Sequence, residues 1–567
     1  PNSPSPLAEP LPDPLFNLPS GVVSSAVSLT IALPESTPAD TTLRYTTDLS
    51  EPTESSPLYL TGVTSINLPN GGTVRARAFR PGHVPSRIGN RHFIRLGSSI
   101  GSDYRSSGKP FQSNLPVLLL DSFGINVDAF TSTTARPDRT TFAALYPAAS
   151  PLNAAPQKLL RGATRVRGQT SAAFPQKPYQ WELWSSSKDD DKSESLLDLP
   201  AGSDWVLQAP YSDKSMMRNI VAFDTMREWS GPGSAMRSRF VEVFFNQNGG
   251  SIDWSDYRGV YILTENVERG KDRVPLQKLN SLIEDPVGIT GGYMWSKDKP
   301  PFDNPINTLT TSPWGAQKLD VFEPKSPTQA QLNYLTSHLN SFESALAGSS
   351  FANPTSGYAA FIDSASFIDR ILWIELFRQA DFQSMYYAKD RGGKIRAVPL
   401  WDFNMSAGNT NDWSPLVTQQ PGQSSSEGWM NVRFIHDWQG RFGAAFYPYF
   451  PRLFADPEFT TQFWDRYWQV RRSIGSDAAI SSRIDSLAAQ LTAGLPDPVT
   501  NGVGSWPSST PSSESPAARH YSRWPILGSL QWPNSFGATD RTTFASEISF
   551  LKSWLLRRLA WMDSQSM

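Results

Sequence analysis

Cysteine is absent from the 567-residue chain, which removes disulfides, thiolate metal sites and cysteine nucleophiles together and leaves the redox compartment unreadable. Histidine is scarce: His83, His92, His338, His436 and His520 are the whole set, scattered without ligand spacing, so no zinc site is expected. An excess of one charge is missing too. Lys plus Arg number 51 against 53 Asp plus Glu, a formal net charge of −2 that argues against a nucleic-acid partner. No apolar run approaches the roughly 20 residues of a transmembrane helix; the stretch 117–120 is cut at once by Asp121. Walker loops and a Gly-x-Ser-x-Gly elbow between strand and helix are also lacking, which sets aside P-loop and serine-hydrolase chemistry. The chain starts at Pro1 without the basic start and apolar core of a signal peptide, so the expectation is a processed chain whose export signal is already removed.

What is present is large apolar side chain: 19 Trp and 31 Phe suffice to bury several cores and exclude wholesale disorder. At roughly 100–200 residues per domain the length allows about three to five, or fewer if one core is large. The many Pro and Gly, 47 and 38, point to turns rather than long helical bundles. Residues 1–15 alternate Pro with small polar residues and read as an extended leader. Over 16–96, short alternating segments at 28–32, 42–46, 65–68 and 73–79 predict a small β-sandwich. The Ser- and Gly-rich stretch 97–114 reads as a linker before a large mixed region, 115–567. Its last 150 residues or so show helical spacing, as in Phe463, Trp464, Tyr467, Trp468 and Val470, with repeats of that spacing at 480–491 and 544–561.

Three constellations carry potential chemistry. In the first, RVRGQTS at 165–171 and FPQKPYQWEL at 174–183 describe a strand bearing Arg165 and Arg167, a turn at Gly168 and a second strand bearing Lys177. Cationic heads and backbone N–H groups converging at a Gly turn can hold phosphate oxygens; the alternative is a hairpin of two solvated edge strands. In the second, SDWVLQAPYSDKSMMRN at 203–219, Asp213 is a candidate N-cap for a following helix. Strands at 240–245 and 257–263 then lead out through Thr264-Glu265. In the third, a helix over 366–378 delivers Asp381, and a strand-turn-strand delivers Asp402 in VPLWDFN at 398–404. One carboxylate suits a base for a hydroxyl and the other a Mg²⁺ ligand, because hard divalent ions prefer carboxylate oxygens. The alternative is a turn cap and an Arg partner.

Two resemblances follow. RYTTDLSEPT at 44–53 with TVRARAF at 73–79 resembles the immunoglobulin-like domain at the C-terminus of chitobiases, with Leu49 where that pattern usually has Gly. Adding RFVEVFFN at 239–246, YRGVYILTENVERGKDRV at 257–274 and GGYMW at 291–295 to the three constellations, residues 115–565 resemble the spore coat protein H (CotH) kinase family. The resemblance implies an α+β fold: an atypical protein-kinase-like core with a helical C-terminal part, preceded by the small all-β sandwich. It further implies ATP with Mg²⁺ or Mn²⁺ as cofactors, a Ser-rich protein substrate, autophosphorylation, and an extracellular or bacterial cell-surface location. The N-terminal module would meet a surface glycan or protein. In site terms it implies Lys177 and Asp381 as catalytic residues; Lys177, Arg167 and Glu265 around the nucleotide, with Thr264-Glu265 at the hinge beside adenine; and Asp402 with Asn404 at the metal. Three positions depart from the family pattern. Asn404 replaces a second Asp, Gln176 stands where a second Lys is common, and Ile395-Arg396 lies where an aromatic often precedes the metal motif. These departures define the alternatives: a degenerate kinase scaffold acting as a structural or binding protein, and, from the module and the many Trp, a carbohydrate-active protein.

Overall fold

A computed structural model describes residues 9–129, 136–186, 189–298, 302–308, 316–381, 384–410, 425–429, 449–494 and 514–565. The chain forms two compact units. One comprises Pro1–Ala209, Arg239–Thr264 and Gln490–Pro525, the other Pro210–Ser238, Glu265–Ala489 and Ile526–Met567.

The first unit opens with an all-β module. A five-stranded sheet has the order β2 (Gly21–Val23), β9 (Gly89–Arg95), β8 (Gly71–Phe79), β5 (Thr42–Thr46), β6 (Leu58–Tyr59). Facing it are the pairs β3 (Val27–Leu29) with β7 (Ile66–Leu68) and β1 (Leu15–Phe16) with β4 (Ile31–Ala32). Period-2 alternation puts Val27, Leu29, Ile31, Leu43, Ile66, Leu68, Val74 and Ala76 into one core, as the sequence pattern requires. The end of the expected leader is pinned to this module: Leu11 is buried, its N–H donates to the Val84 carbonyl at 2.9 Å, and Asp13 pairs with Arg87.

A closed barrel follows, in the order β10 (Val117–Asp121), β11 (Arg139–Tyr146), β12 (Lys158–Val166), β13 (Tyr179–Trp184), β14 (Asp204–Gln208), β16 (Tyr257–Glu265), β15 (Ser238–Asn246). Alternation again sorts the side chains. Leu118, Leu120, Trp181, Leu183, Trp205, Val243 and Phe245 fill one core, while Val117, Leu119, Phe142, Ala144 and Phe244 join a second. That second core corrects the linker expectation for 97–114: Ile100, Tyr104 and Phe111 are buried in it together with Ile94 and Leu96 of the module's end. The Ser and Gly of the stretch make turns between apolar anchors, so it is packed chain. Closure of the barrel also overturns the solvated-hairpin alternative, because β12 and β13 each have a strand on both sides.

The second unit is mixed. Its sheet has the order β18 (Pro305–Asn307), β19 (Lys318–Glu323), β17 (Tyr293–Lys297), β20 (Met385–Lys389), β21 (Ile395–Arg396). Helix Ser364–Phe377 is buried on nearly all sides, its charged Asp369, Arg370 and Glu375 included, and is correspondingly central. It packs against helices Arg218–Ser230, Pro457–Arg471 and Phe544–Gln565. Its start is fixed by Asp363, whose carboxylate accepts the Ser366 N–H at 3.1 Å, and its end by Arg378 in the left-handed region. The chain as a whole is thus α+β with an all-β N-terminal module. No helix among the described residues is long and apolar enough to cross a membrane.

Candidate functional site

In the second unit the left-handed turn at Arg378 sends the chain alongside the VPLWDFN segment. Gln379, 4% exposed, donates through Nε2 to the carbonyls of Trp401 at 3.1 Å and Asp402 at 2.9 Å. The Ala380 N–H donates to the Met405 carbonyl at 2.9 Å, and the Ala407 N–H to the Phe377 carbonyl at 2.6 Å. Residues 377–381 and 401–407 are therefore laced together, so the segments carrying Asp381 and Asp402 lie side by side despite their separation in sequence. Both carboxylate residues are partly exposed. Asp402 has φ +58°, a left-handed conformation that Asp tolerates better than most residues but that surrounding bonds must hold.

Those bonds come largely from the second constellation. Asn219 Oδ1 accepts the Phe403 N–H at 2.6 Å. Buried Arg218 donates to the Ser406 carbonyl at 3.0 Å and the Ala407 carbonyl at 3.3 Å. Asn409 Nδ2 donates to the Ser212 carbonyl at 3.2 Å and to the Asn404 carbonyl at 2.8 Å. Asp213 is not the N-cap of helix Arg218–Ser230, whose cap position is Met217. Instead its carboxylate accepts the Arg218 N–H at 2.9 Å and pairs with the Arg218 guanidinium, both side chains almost fully buried. SDKSMMRN is thus a buried brace for the loop bearing Asp402. Gln379 and Asn219 were missed as positioning residues because nothing local marks a side-chain amide that caps a carbonyl or N–H more than 20 residues away.

Asn404 Oδ1 is buried and has no hydrogen-bond partner. An orphaned amide oxygen two residues from a carboxylate fits a hard divalent cation, which takes oxygen ligands. Among the described residues no group of three or more His, Cys, Asp or Glu could hold a metal. Asp402 and Asn404 together offer the oxygen donors a hard cation takes, and too few for an all-protein cage.

In the first unit the Gly168 turn joins the β12 and β13 ends. Gly168 has φ +78°, and a Cβ there would stand 2.0 Å from Ser171 Oγ, so the turn needs glycine. Lys177 is partly exposed and its Nζ donates to the Ala172 carbonyl at 2.8 Å inside the same loop. Arg136 donates to the Gly168 carbonyl; burial first, then the nearby Arg167 charge, lower its pKa. Three cationic side chains, Arg136, Arg167 and Lys177, therefore gather on one turn; Arg136 was invisible to sequence reasoning because it arrives from 32 residues upstream of Gly168. Gln176 is buried and donates to the carbonyls of Val260 at 2.9 Å and Arg258 at 3.2 Å, so this departure serves as a strand clamp.

Glu265 marks the point where the chain passes from the first unit to the second. Its carboxylate is fully buried and paired with Arg237 at 3.0 Å and Arg273 at 3.9 Å. The side chain is committed to that cluster. Ile395 is buried on β21, and Arg396 donates to the Pro275 carbonyl at 3.2 Å.

Two family models match the chain. The CotH kinase protein model covers residues 164–562, more than half of the sequence, and the chitobiase/β-hexosaminidase C-terminal domain model covers residues 18–90. No curated protein matches.

Proposed function

Because the chain belongs to the CotH kinase protein family, we propose that it transfers the γ-phosphoryl group of ATP to Ser or Thr hydroxyls of secreted or surface proteins. The observation that carries this is the lacing of residues 377–381 to 401–407, which keeps Asp381 beside the loop of Asp402 and the orphaned Asn404 oxygen. In the reaction the hydroxyl oxygen bonds to the γ-phosphorus as the bond to the β-γ bridging oxygen breaks. ADP leaves, and the hydroxyl proton passes to a carboxylate, the role assigned to Asp381. Asp402 and Asn404 would hold Mg²⁺ or Mn²⁺, whose charge offsets that of the phosphates. Lys177 and Arg167 carry the cationic share at the Gly168 turn. Phosphoryl transfer is mostly positioning and charge neutralisation, so a braced loop and few charged groups suffice.

Autophosphorylation has a candidate in the hydroxyl-rich stretch 505–515, most of which lies outside the described residues. The chitobiase-type module supports an extracellular or surface location. A degenerate scaffold is the second reading, favoured by one observation: Asn404 contributes an oxygen but no charge where the family pattern has an acid.

The test is transfer from labelled ATP to the protein and to a Ser-rich polypeptide with Mg²⁺ or Mn²⁺, comparing wild type, Asp402→Ala and Lys177→Ala. Label in the wild type that drops at least a hundredfold in both variants is the expected result. No label and no ATP binding in the wild type overturns the kinase reading in favour of the scaffold.

A further inference from the structure

The first unit contains a concavity that the kinase chemistry does not use, built jointly by the β-module and the barrel. In the barrel register, Phe142 on β11 faces Arg161 on β12, which faces Trp184 on β13. These three side chains form a row across one face of the barrel. Asn90 and His92, two apart on β9 and so on one face of that strand, close over the row. His92 stacks on Phe142 with ring centroids 5.1 Å apart, and Asn90 donates to the Ser186 carbonyl at 2.7 Å. The pocket between them is about 160 Å³. Its inner wall is buried, whereas Leu159 is 39% exposed and Lys192 is also exposed, so it opens to solvent on that side.

The lining is amphipathic, and each of its charged groups already has an ion-pair partner. Leu159, Phe142 and Trp184 supply apolar surface, with the Arg161 guanidinium 5.3 Å from the Trp184 ring. Arg161 pairs with Asp189, and Glu194 pairs with both Lys192 at 2.8 Å and Lys158 at 2.6 Å. On the inner wall, His92 Nδ1 lies 2.9 Å from Thr73 Oγ1, while its Nε2 is buried with no hydrogen-bond partner. Burial, then the nearby Arg161, Arg75 and Arg91, push the imidazole pKa down to about 3, so it is neutral near pH 7.

We infer that this junction is a binding site for one uncharged pyranose ring, such as the terminal sugar of a glycan. Its volume suits a single ring, and its apolar wall suits the C–H face of a sugar. The walls offer donors and acceptors in mixed order, which hydroxyls can satisfy because each both donates and accepts. Arg161, Lys192 and Lys158 are already paired with Asp189 and Glu194, so an anionic ligand would have to displace those carboxylates, whereas a neutral ring leaves the pairs intact. The glycan contact expected of the module alone is thus relocated to its junction with β11, β12 and β13.

The test uses the full chain and saturation-transfer NMR with methyl glycosides of glucose, galactose, mannose and N-acetylglucosamine, with glucuronate and inorganic phosphate alongside. Leu159→Trp fills the mouth from a partly exposed position, and Trp184→Ala removes apolar wall. The expected result is binding of at least one uncharged glycoside, weakened at least tenfold in Leu159→Trp and in Trp184→Ala where that variant folds. Transfer from no uncharged glycoside, binding only of glucuronate or phosphate, or affinity unchanged in Leu159→Trp overturns the inference. ATP binding, measured on the same samples, is independent of the outcome, so failure here leaves the kinase reading untouched.

Discussion

Breaking the buried ion pair between Arg519 and Glu242 should be the most costly single change to the first unit. Arg519 sits on helix Pro516–Arg523 and Glu242 on β15, with side chains 1% and 0% exposed. The contact is bidentate: Nε to Oε1 at 2.8 Å and Nη2 to Oε2 at 2.6 Å. The guanidinium also reaches Ser113 Oγ at 2.9 Å, and Tyr257 donates its hydroxyl to Glu242. Burial works against the Arg519 charge, yet Glu242 outweighs it and holds the pKa above its ordinary value. Arg519→Met leaves a buried carboxylate with only neutral partners, which costs about 3–5 kcal/mol. At about 2–4 °C per kcal/mol for a domain of this size, the unit's melting transition should fall by roughly 6–20 °C. Glu242→Gln keeps an acceptor for Tyr257 but strands the guanidinium, so it should be similarly costly. The double variant removes both charges and should recover most of the loss. Calorimetry or denaturant unfolding of the four proteins gives the coupling energy. Single-variant losses under about 1 kcal/mol that simply add would refute the reasoning.

Further outcomes follow from the same geometry. Burial first, opposed by the Phe123 N–H and Asn246 and aided by Asp256, raises the Asp121 pKa from 3.8 to about 7. Its folded pKa lies above its unfolded one, so the folded state holds the extra proton between them. Its contribution is therefore full below about pH 4 and is lost as pH rises through 7, by up to about 4 kcal/mol. Unfolding free energies of wild type and Asp121→Asn across that window should converge at low pH and diverge at neutral pH; a constant difference would count against it. Gln379→Leu should leave the Trp401 and Asp402 carbonyls without their donor, costing about 1–3 kcal/mol in the second unit. Under the kinase proposal it should also slow transfer on the order of a hundredfold, whereas unchanged transfer would remove Gln379 as a positioning residue. Gly259 has φ +89°, and an added Cβ would stand 2.8 Å from His520 Nδ1. Gly259→Ala should therefore cost about 2 kcal/mol or more, read as a lowered melting transition of the first unit.

The parts of this chain legible from its sequence are those that depend on neighbouring residues. Alternation at 42–46 and 73–79 reappears as β5 and within β8, the helix expected over 366–378 forms as Ser364–Phe377, and the strands at 240–245 and 257–263 appear within β15 and β16. In each case the run of apolar residues and its local spacing mark the element without reference to distant partners. Motif order likewise pointed to the family that residues 164–562 match. Tertiary structure decided the rest. Closure of the barrel, the anchoring of 97–114 through Ile100, Tyr104 and Phe111, and the use of SDKSMMRN to brace the Asp402 loop all depend on contacts between residues far apart in the chain. Asp213 shows why: its sequence position suggests a cap, but a carboxylate buried beside a buried guanidinium pairs with that charge before anything else. Composition and spacing state which side chains can bond, and only the packed fold determines which partner each one meets when water is excluded.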